Sequence, residues 1–323
     1  MNRRHFIQEA SSALALLSCF PADLSAVVRS KNSAGLEQRS LGRTGEQLSI
    51  LGFGGIVVKD ATPKEASLRV GEAIDAGVNY FDVAPSYGNA EERLGPALEP
   101  YRKRVFVACK TTERGKAGAA AELEQSLRNL RTDHFDLYQL HGVTVLDEVE
   151  EILGPDGALQ AFLEAKRAGK VRFLGFSAHS VEAAMGLMER FDFDTLLFPV
   201  NFATWHAGGF GPQVLAKAQS KRMGILALKA MAKGRLPQGA KKRYPKCWYE
   251  PLDVPAEAAL GLRFTLSHPV TAAIPPGDEN LFRMALTLAA NFVPLTAQET
   301  FALKRQAMEV EPIFRYSEVG GPS

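Results

Sequence analysis

Two periods alternate along this chain. Short runs of β-branched, aromatic and leucine residues are followed by stretches whose apolar positions recur every three or four residues, so extended segments and amphipathic helices take turns. The unit at 64–81 shows both. Ala66, Val70, Ala73 and Ile74 share one helical face, Gly77 offers the left-handed residue that ends a helix, and 78–81 reads as a buried strand. Strands of the same kind are predicted at 104–109, 135–140, 171–176, 195–200, 224–228 and 270–274. Helices run through Leu123, Leu127 and Leu130, through Leu159, Phe162 and Leu163 up to Gly169, through Val181, Ala184, Met185 and Met188, and over 214–221 and 256–266. With 48–53 as the first strand there are eight, and eight strand–helix units predict an α/β fold, a (β/α)8 TIM barrel. A doubly wound sheet would carry G-x-G-x-x-G after its first strand, whereas Gly52-Phe53-Gly54-Gly55 lacks the third glycine. Beyond the barrel, Thr296 and Glu299 form a capping box ahead of Phe301, Leu303 and Met308, which predicts an extra C-terminal helix.

Composition narrows the class. The chain has 323 residues, 46% hydrophobic and 23% charged, with a formal net charge of +2, which fits a globular protein and excludes a disordered chain or a dedicated nucleic-acid binder. Cys19, Cys109 and Cys247 lie far apart with no CxxC pair, so no metal site and no disulfide framework is expected. At the start, Arg3-Arg4-His5-Phe6-Ile7 precedes an apolar stretch too short to span a bilayer, and small residues surround Ser25 and Ala26. That order resembles a twin-arginine export signal. Residues 1–30 are therefore expected to be a signal peptide and 31–323 the barrel domain, with export to the periplasm. A cytoplasmic amphipathic helix and lipid attachment at Cys19 are the alternatives.

Candidate chemistry gathers where such barrels place it, at the C-terminal ends of the strands. The second strand ends at Asp82, and Tyr87 follows in VAPSYG; the third ends at Lys110 and the fourth at His141. Taken singly, these residues read as a turn cap, a packed ring, a solvated strand end and a satisfied histidine. Together they describe a site. A buried Lys beside an Asp is a paired charge, and that cation is expected to lower the Tyr pKa from about 10. Such a Tyr is a proton donor, and a neighbouring His orients a carbonyl oxygen.

The stretches RSLGRTGEQLSILGFGG, GVNYFDVAPSYGNAEERLG, VFVACKTT, LRTDHFDLYQLHG, GKVRFLGFS and AAIPPG resemble the aldo-keto reductases over nearly all of residues 38–310. The resemblance implies a catalytic tetrad in which Tyr87 is the general acid, Lys110 and Asp82 tune it, and His141 positions the substrate carbonyl. It also implies an N-terminal β-hairpin closing the barrel floor and a nicotinamide dinucleotide across the mouth, NADP(H) ahead of NAD(H). The cofactor positions it implies are Gly52, Ser177, Asn201, Leu228, Lys229, Pro276, Gly277 and Arg283. Three of the family's cofactor contacts are replaced: Ala178 stands for an asparagine, Leu197 for a glutamine, and Leu228 for the aromatic that stacks on the nicotinamide. His179 and Lys229 are new polar groups on the same rim. Pro276-Gly277-Asp278-Glu279 is acidic, which favours NAD(H), while Arg283 and a helix N-terminus at Asp278 favour NADP(H).

Ile56, Val57, Val143, Trp205 and His206 are expected to line the pocket, and the insert at 235–256, with Trp248 and Tyr249, is expected to be either a lid or a packed loop. The function implied is NAD(P)H-dependent reduction of a small-molecule aldehyde or ketone to an alcohol. The alternative is a non-catalytic dinucleotide-binding redox sensor or regulatory subunit.

Overall fold

The computed structural model describes residues 35–316, so the segment read as an export leader, with Cys19, lies outside the described residues. A hairpin of β1 (Gln38–Ser40) and β2 (Gln47–Ser49) comes first. The barrel strands are β3 (Phe53–Gly54), β4 (Tyr80–Asp82), β5 (Phe106–Thr111), β6 (Phe135–Val143), β7 (Val171–Ala178), β8 (Thr195–Pro199) and β9 (Gly224–Leu228). After a second hairpin, β10 (Ala232–Arg235) with β11 (Tyr249–Pro251), the last barrel strand is β12 (Ala272–Ile274). These eight strands pair in parallel and in chain order. The ring closes where Leu51 bridges Ala273, with Gly52 N donating to Ala273 O and Ala273 N to Ile50 O, both at 2.9 Å. The fold is a (β/α)8 barrel.

The first strand differs from its prediction. The run 48–53 splits, because Ser49 turns the chain: its hydroxyl donates to Leu51 O at 2.8 Å and its N–H to Asn79 Oδ1 at 2.8 Å. Residues 48 and 49 therefore belong to the floor hairpin, and only Phe53 and Gly54 pair with β4.

Eleven helices cover the described residues: α1 (Pro63–Asp75), α2 (Ala90–Leu98), α3 (Lys116–Asn129), α4 (Leu146–Leu153), α5 (Ala158–Arg167), α6 (Val181–Arg190), α7 (Phe202–His206), α8 (Pro212–Ser220), α9 (Pro255–Leu266), α10 (Glu279–Ala290) and α11 (Ala297–Ala307). Their limits follow from local chemistry. In α1, Thr62 and Glu65 form a capping box, Pro63 opens the first turn, and Ala66, Val70 and Ala73 are buried on one face. The capping box of Thr296 with Glu299 starts α11 in the same way.

The two-residue period of the strands sorts their side chains into two cores. Outward residues pack under the helices. Inward ones, Tyr80, Phe106, Ala108, Leu137, Leu197, Leu226, Ala272 and Ile274, meet Leu41 and Leu48 of the hairpin. Those two leucines are 0% and 1% exposed and plug the floor, each contributing about 1.5–3 kcal/mol by burial. A methyl on Gly224 would come within 2.5 Å of Leu41 Cδ1, so the plug seats directly on strand backbone. Toward the other end the interior turns polar, with Asp82, Lys110, Gln139 and Ser177 buried there.

Candidate active site

Parity and register bring the central pair together. Asp82 pairs with Ala108, so Lys110, two residues further along β5, shares its side of the sheet one step higher. Lys110 Nζ donates to Asp82 Oδ1 and to Val83 O, the latter at 3.2 Å. Asp82 Oδ2 accepts from Tyr80 OH and from Gln139 Nε2, each at 3.1 Å. Tyr80 and Gln139 were missed in the sequence. Tyr80 was legible there, because i and i+2 of a strand share a face; Gln139 needed the register that sets it beside Lys110. Burial pulls the Lys110 ammonium down, but Asp82 and Tyr87 outweigh it and hold its pKa above the ordinary lysine value.

Tyr87 sits in a short 3-10 turn, Pro85–Tyr87, with its ring centroid 5.2 Å from Lys110 Nζ. Its pKa is raised, because burial outweighs the downward pull of Lys110. The expectation of a lowered pKa is therefore corrected: the phenol keeps its proton across the physiological range. His141 stands edge-on to Tyr87, centroids 5.6 Å apart, and its Nδ1 hydrogen-bonds Ser86 Oγ at 3.2 Å. Burial first, then Lys110, His179, Lys229 and Arg114, push His141 down to about 2, so the ring is neutral. Arg114, itself bound to Glu148 at 2.8 Å, donates to the His141 carbonyl at 2.9 Å and fixes that strand end. The four residues of the expected tetrad thus share one side of the barrel mouth.

The expected cofactor residues divide. Ser177 Oγ accepts from Gly142 N at 2.7 Å, which leaves its hydroxyl proton free to donate. Asn201 caps α7 by accepting from Thr204 N at 2.9 Å, and its buried Nδ2 has no partner among the described residues. Leu228 is half-buried at the rim, above the fully buried Leu197. Lys229, held at φ +62°, is half-buried; its Nζ lies 5.3 Å from the Trp248 ring and 5.9 Å from that of Tyr249. His179 stacks on Phe314 at 5.1 Å with its Nε2 buried and unpartnered, and burial, then Lys229, push it down to about 3. Among the described residues, Asn201 Nδ2 and His179 Nε2 are buried without a partner and the Ser177 hydroxyl proton is uncommitted, a set of polar groups that suits an amide such as a dinucleotide's carboxamide.

Other positions lie elsewhere. Gly52 is interior rather than at the rim: a methyl there would meet Tyr80 Cδ1 at 2.4 Å. Pro276 is buried, and a methyl on Gly277 would meet Ile56 Cγ2 at 2.1 Å. Asp278 caps α10, accepting from Asn280 N at 2.9 Å and Leu281 N at 3.2 Å. Arg283 is engaged by Glu72 at 2.9 Å, and Arg69 by Glu279 at 2.8 Å. Trp205 and His206 turn away from the expected pocket. On the short α7 their rings pack against α9 and its end, Trp205 4.3 Å from His268 and His206 5.4 Å from Phe264. Val57 and Val143 are wholly buried. The insert is a packed strap: Lys246 Nζ donates to Val57 O at 3.0 Å, and Trp248 stands 5.9 Å from Phe314.

Residues 50–260 match the sequence model described as the Aldo/keto reductase family. The aldo-keto reductase YhdN of Bacillus subtilis is 32% identical over 166 residues, 46% of this chain and 48% of its own length. L-Galactose dehydrogenase of Arabidopsis thaliana is 27% identical over 228 residues, 65% of this chain and 70% of its own. The chain thus spans about half the length of the first curated relatives it matches. Among solved structures, the holo form of an aldo-keto reductase from Bacillus halodurans superposes with a TM-score of 0.68 at 23% identity, covering 88% of this chain and 99% of that one.

Proposed function

The chain belongs to the aldo/keto reductase family, and on that premise we propose that it reduces the carbonyl group of a small aldehyde or ketone to an alcohol with a reduced nicotinamide dinucleotide. When bound, the dinucleotide supplies the hydride. Ser177, Asn201 and His179 would hold its carboxamide, with Leu228 against the ring. Tyr87 donates the proton that the carbonyl oxygen needs, and Lys110 stabilises the phenolate left behind. Asp82, with Tyr80 and Gln139 behind it, keeps Lys110 charged. His141, engaged by Ser86 at Nδ1, presents Nε2 to the carbonyl oxygen as a neutral donor.

One observation carries the reading: a half-buried, protonated tyrosine whose ring centroid lies 5.2 Å from a buried ammonium, the charge of that ammonium secured by a carboxylate. Replacing Tyr87 by Phe removes only the hydroxyl. We expect kcat/KM for a model aldehyde to fall by about 10²–10⁴-fold, with dinucleotide affinity retained. Turnover close to that of the wild type would overturn the assignment. Ala178, Leu197 and Leu228, which lack the family's amides and aromatic, are what favour the regulatory alternative. A wild-type chain that binds dinucleotide and turns over no carbonyl would bear it out.

We infer NADP(H) ahead of NAD(H), by a narrow margin. Arg283 is the cation available to a 2′-phosphate, and its exposed pair with Glu72 costs only about 0–1 kcal/mol to exchange. Asp278 opposes it by filling the N-terminus of α10 with its own carboxylate. Export by the twin-arginine route is part of the proposal. Replacing Arg3 and Arg4 by lysines should keep the protein in the cytoplasm, and unchanged fractionation would refute it.

A further inference from the structure

Among the described residues, Lys229 at the mouth of the barrel has no ion-pair partner. It follows Leu228 at the end of β9, on the face where Lys110 and His141 stand. Trp248 and Tyr249 of the insert cover it, at 5.3 and 5.9 Å from Nζ. The titratable groups that act on it are Lys110 and Cys247, with no carboxylate among them, and it acts in turn on His141 and His179. Both histidines are neutral, and the one carboxylate of the site, Asp82, is consumed by Lys110, Tyr80 and Gln139. A half-buried ammonium is costly unless something negative meets it, and cation–π contacts offset only part of that cost.

We propose that Lys229 is a specificity-determining residue that binds the anionic substituent of the substrate, so that the preferred substrates are carbonyl compounds carrying a carboxylate or another compact oxyanion. This rests on the reductase reading for the reaction, but not for the binding. Burial, then Lys110, bring the Lys229 pKa down to about 8, so the site is cationic at neutral pH and loses that charge above it. Phe314 and Trp248 supply an apolar wall beside the cation, which suits an anion on a hydrophobic body.

The probes are benzoate and benzamide, followed by tryptophan fluorescence of the full chain, with Trp248 as the reporter beside Lys229. Benzoate should bind saturably and benzamide about ten- to a hundredfold more weakly, the ratio expected for one charged hydrogen bond. Lys229→Met, with its fold checked by circular dichroism, should lose that difference. For turnover, the ratio of kcat/KM for 4-carboxybenzaldehyde to that for its methyl ester should fall by a similar factor. Should Lys229→Met fail to fold, the benzoate–benzamide difference in the wild-type chain decides the matter. Equal binding of the two, or benzoate binding that survives in Lys229→Met, overturns the proposal. So does a variant that loses affinity for NADPH and NADH but not for benzoate, because Lys229 would then serve the dinucleotide's pyrophosphate. If no aldehyde is reduced while benzoate still binds through Lys229, the reductase reading fails and the anion site stands.

Discussion

Replacing Asp82 by Asn tests the electrostatic core of the site. Asp82 and Lys110 have side chains only 2% and 1% exposed, so water screens their attraction very little. Donors from three side chains converge on the two carboxylate oxygens: Lys110 Nζ, Tyr80 OH and Gln139 Nε2. An amide keeps one oxygen and turns an NH2 group toward a donor, so at least one bond is lost and a donor–donor contact forms. The ammonium then keeps Val83 O, at 3.2 Å, and at most a neutral amide oxygen, with no counter-charge. Removing one partner of a buried pair typically costs about 3–5 kcal/mol. At about 2–4 °C per kcal/mol for a domain of this order, the midpoint of unfolding should fall by about 6–20 °C. Without Asp82, burial drives the Lys110 pKa down, the lysine sheds its proton, and the Tyr87 phenolate loses its cation. Thermal and urea unfolding of Asp82→Asn, Lys110→Met and the double variant would measure this. The double variant should be more stable than Asp82→Asn, because an apolar side chain removes the stranded charge. Refutation would be an Asp82→Asn chain within about 1 kcal/mol of the wild type, or a double variant no more stable than that single one.

Three further outcomes are expected. With a neutral aldehyde, kcat should stay level from about pH 5 to about pH 9, since the raised pKa keeps Tyr87 protonated and His141, at about 2, is already neutral; a break near 6.5 would mean that His141 titrates and is assigned wrongly. Gly52→Ala forces a methyl to within 2.4 Å of the Tyr80 ring, so urea unfolding should show a loss of about 1–3 kcal/mol, and kcat should fall too because Tyr80 holds Asp82. Arg283→Ala should weaken NADPH about three- to tenfold with little effect on NADH, while Glu72→Gln, which frees Arg283, should tighten NADPH; equal effects on both dinucleotides by fluorescence titration would place the 2′-phosphate elsewhere.

The barrel was legible in the sequence because buried parallel strands leave continuous apolar runs and their helices leave a 3.6-residue stripe. Seven of the eight runs fall on strands of the structure. The first does not, since nothing local in 48–53 reports that Ser49 bonds to Asn79, thirty residues away. The tetrad was legible for a related reason: strand ends in a barrel share a face. What stayed hidden is what depends on distance and burial. No spacing tells that burial beats Lys110 at Tyr87, that Arg283 already has Glu72, or that Trp205 turns to His268 rather than to the mouth. The sequence sets Lys229 on the cofactor rim, but not the two aromatic rings that the insert folds over it.

The seam between β3 and β12 has a consequence for how the molecule is made. Two hydrogen bonds and one bridge at Ala273 join the segment Ile50–Gly52, just ahead of β3, to β12, so the contacts that close the ring come from opposite ends of the domain. Such long-range closure is slow and late. At ~5–20 residues per second of synthesis, the edge at Leu51 waits about 10–45 s for Ala273 to be made. For that interval a nascent chain carries an unpaired strand edge, the kind of surface that pairs with a neighbouring chain when left open. Holding that edge apart until β12 arrives is a demand on the cell's chaperones that the finished barrel no longer shows.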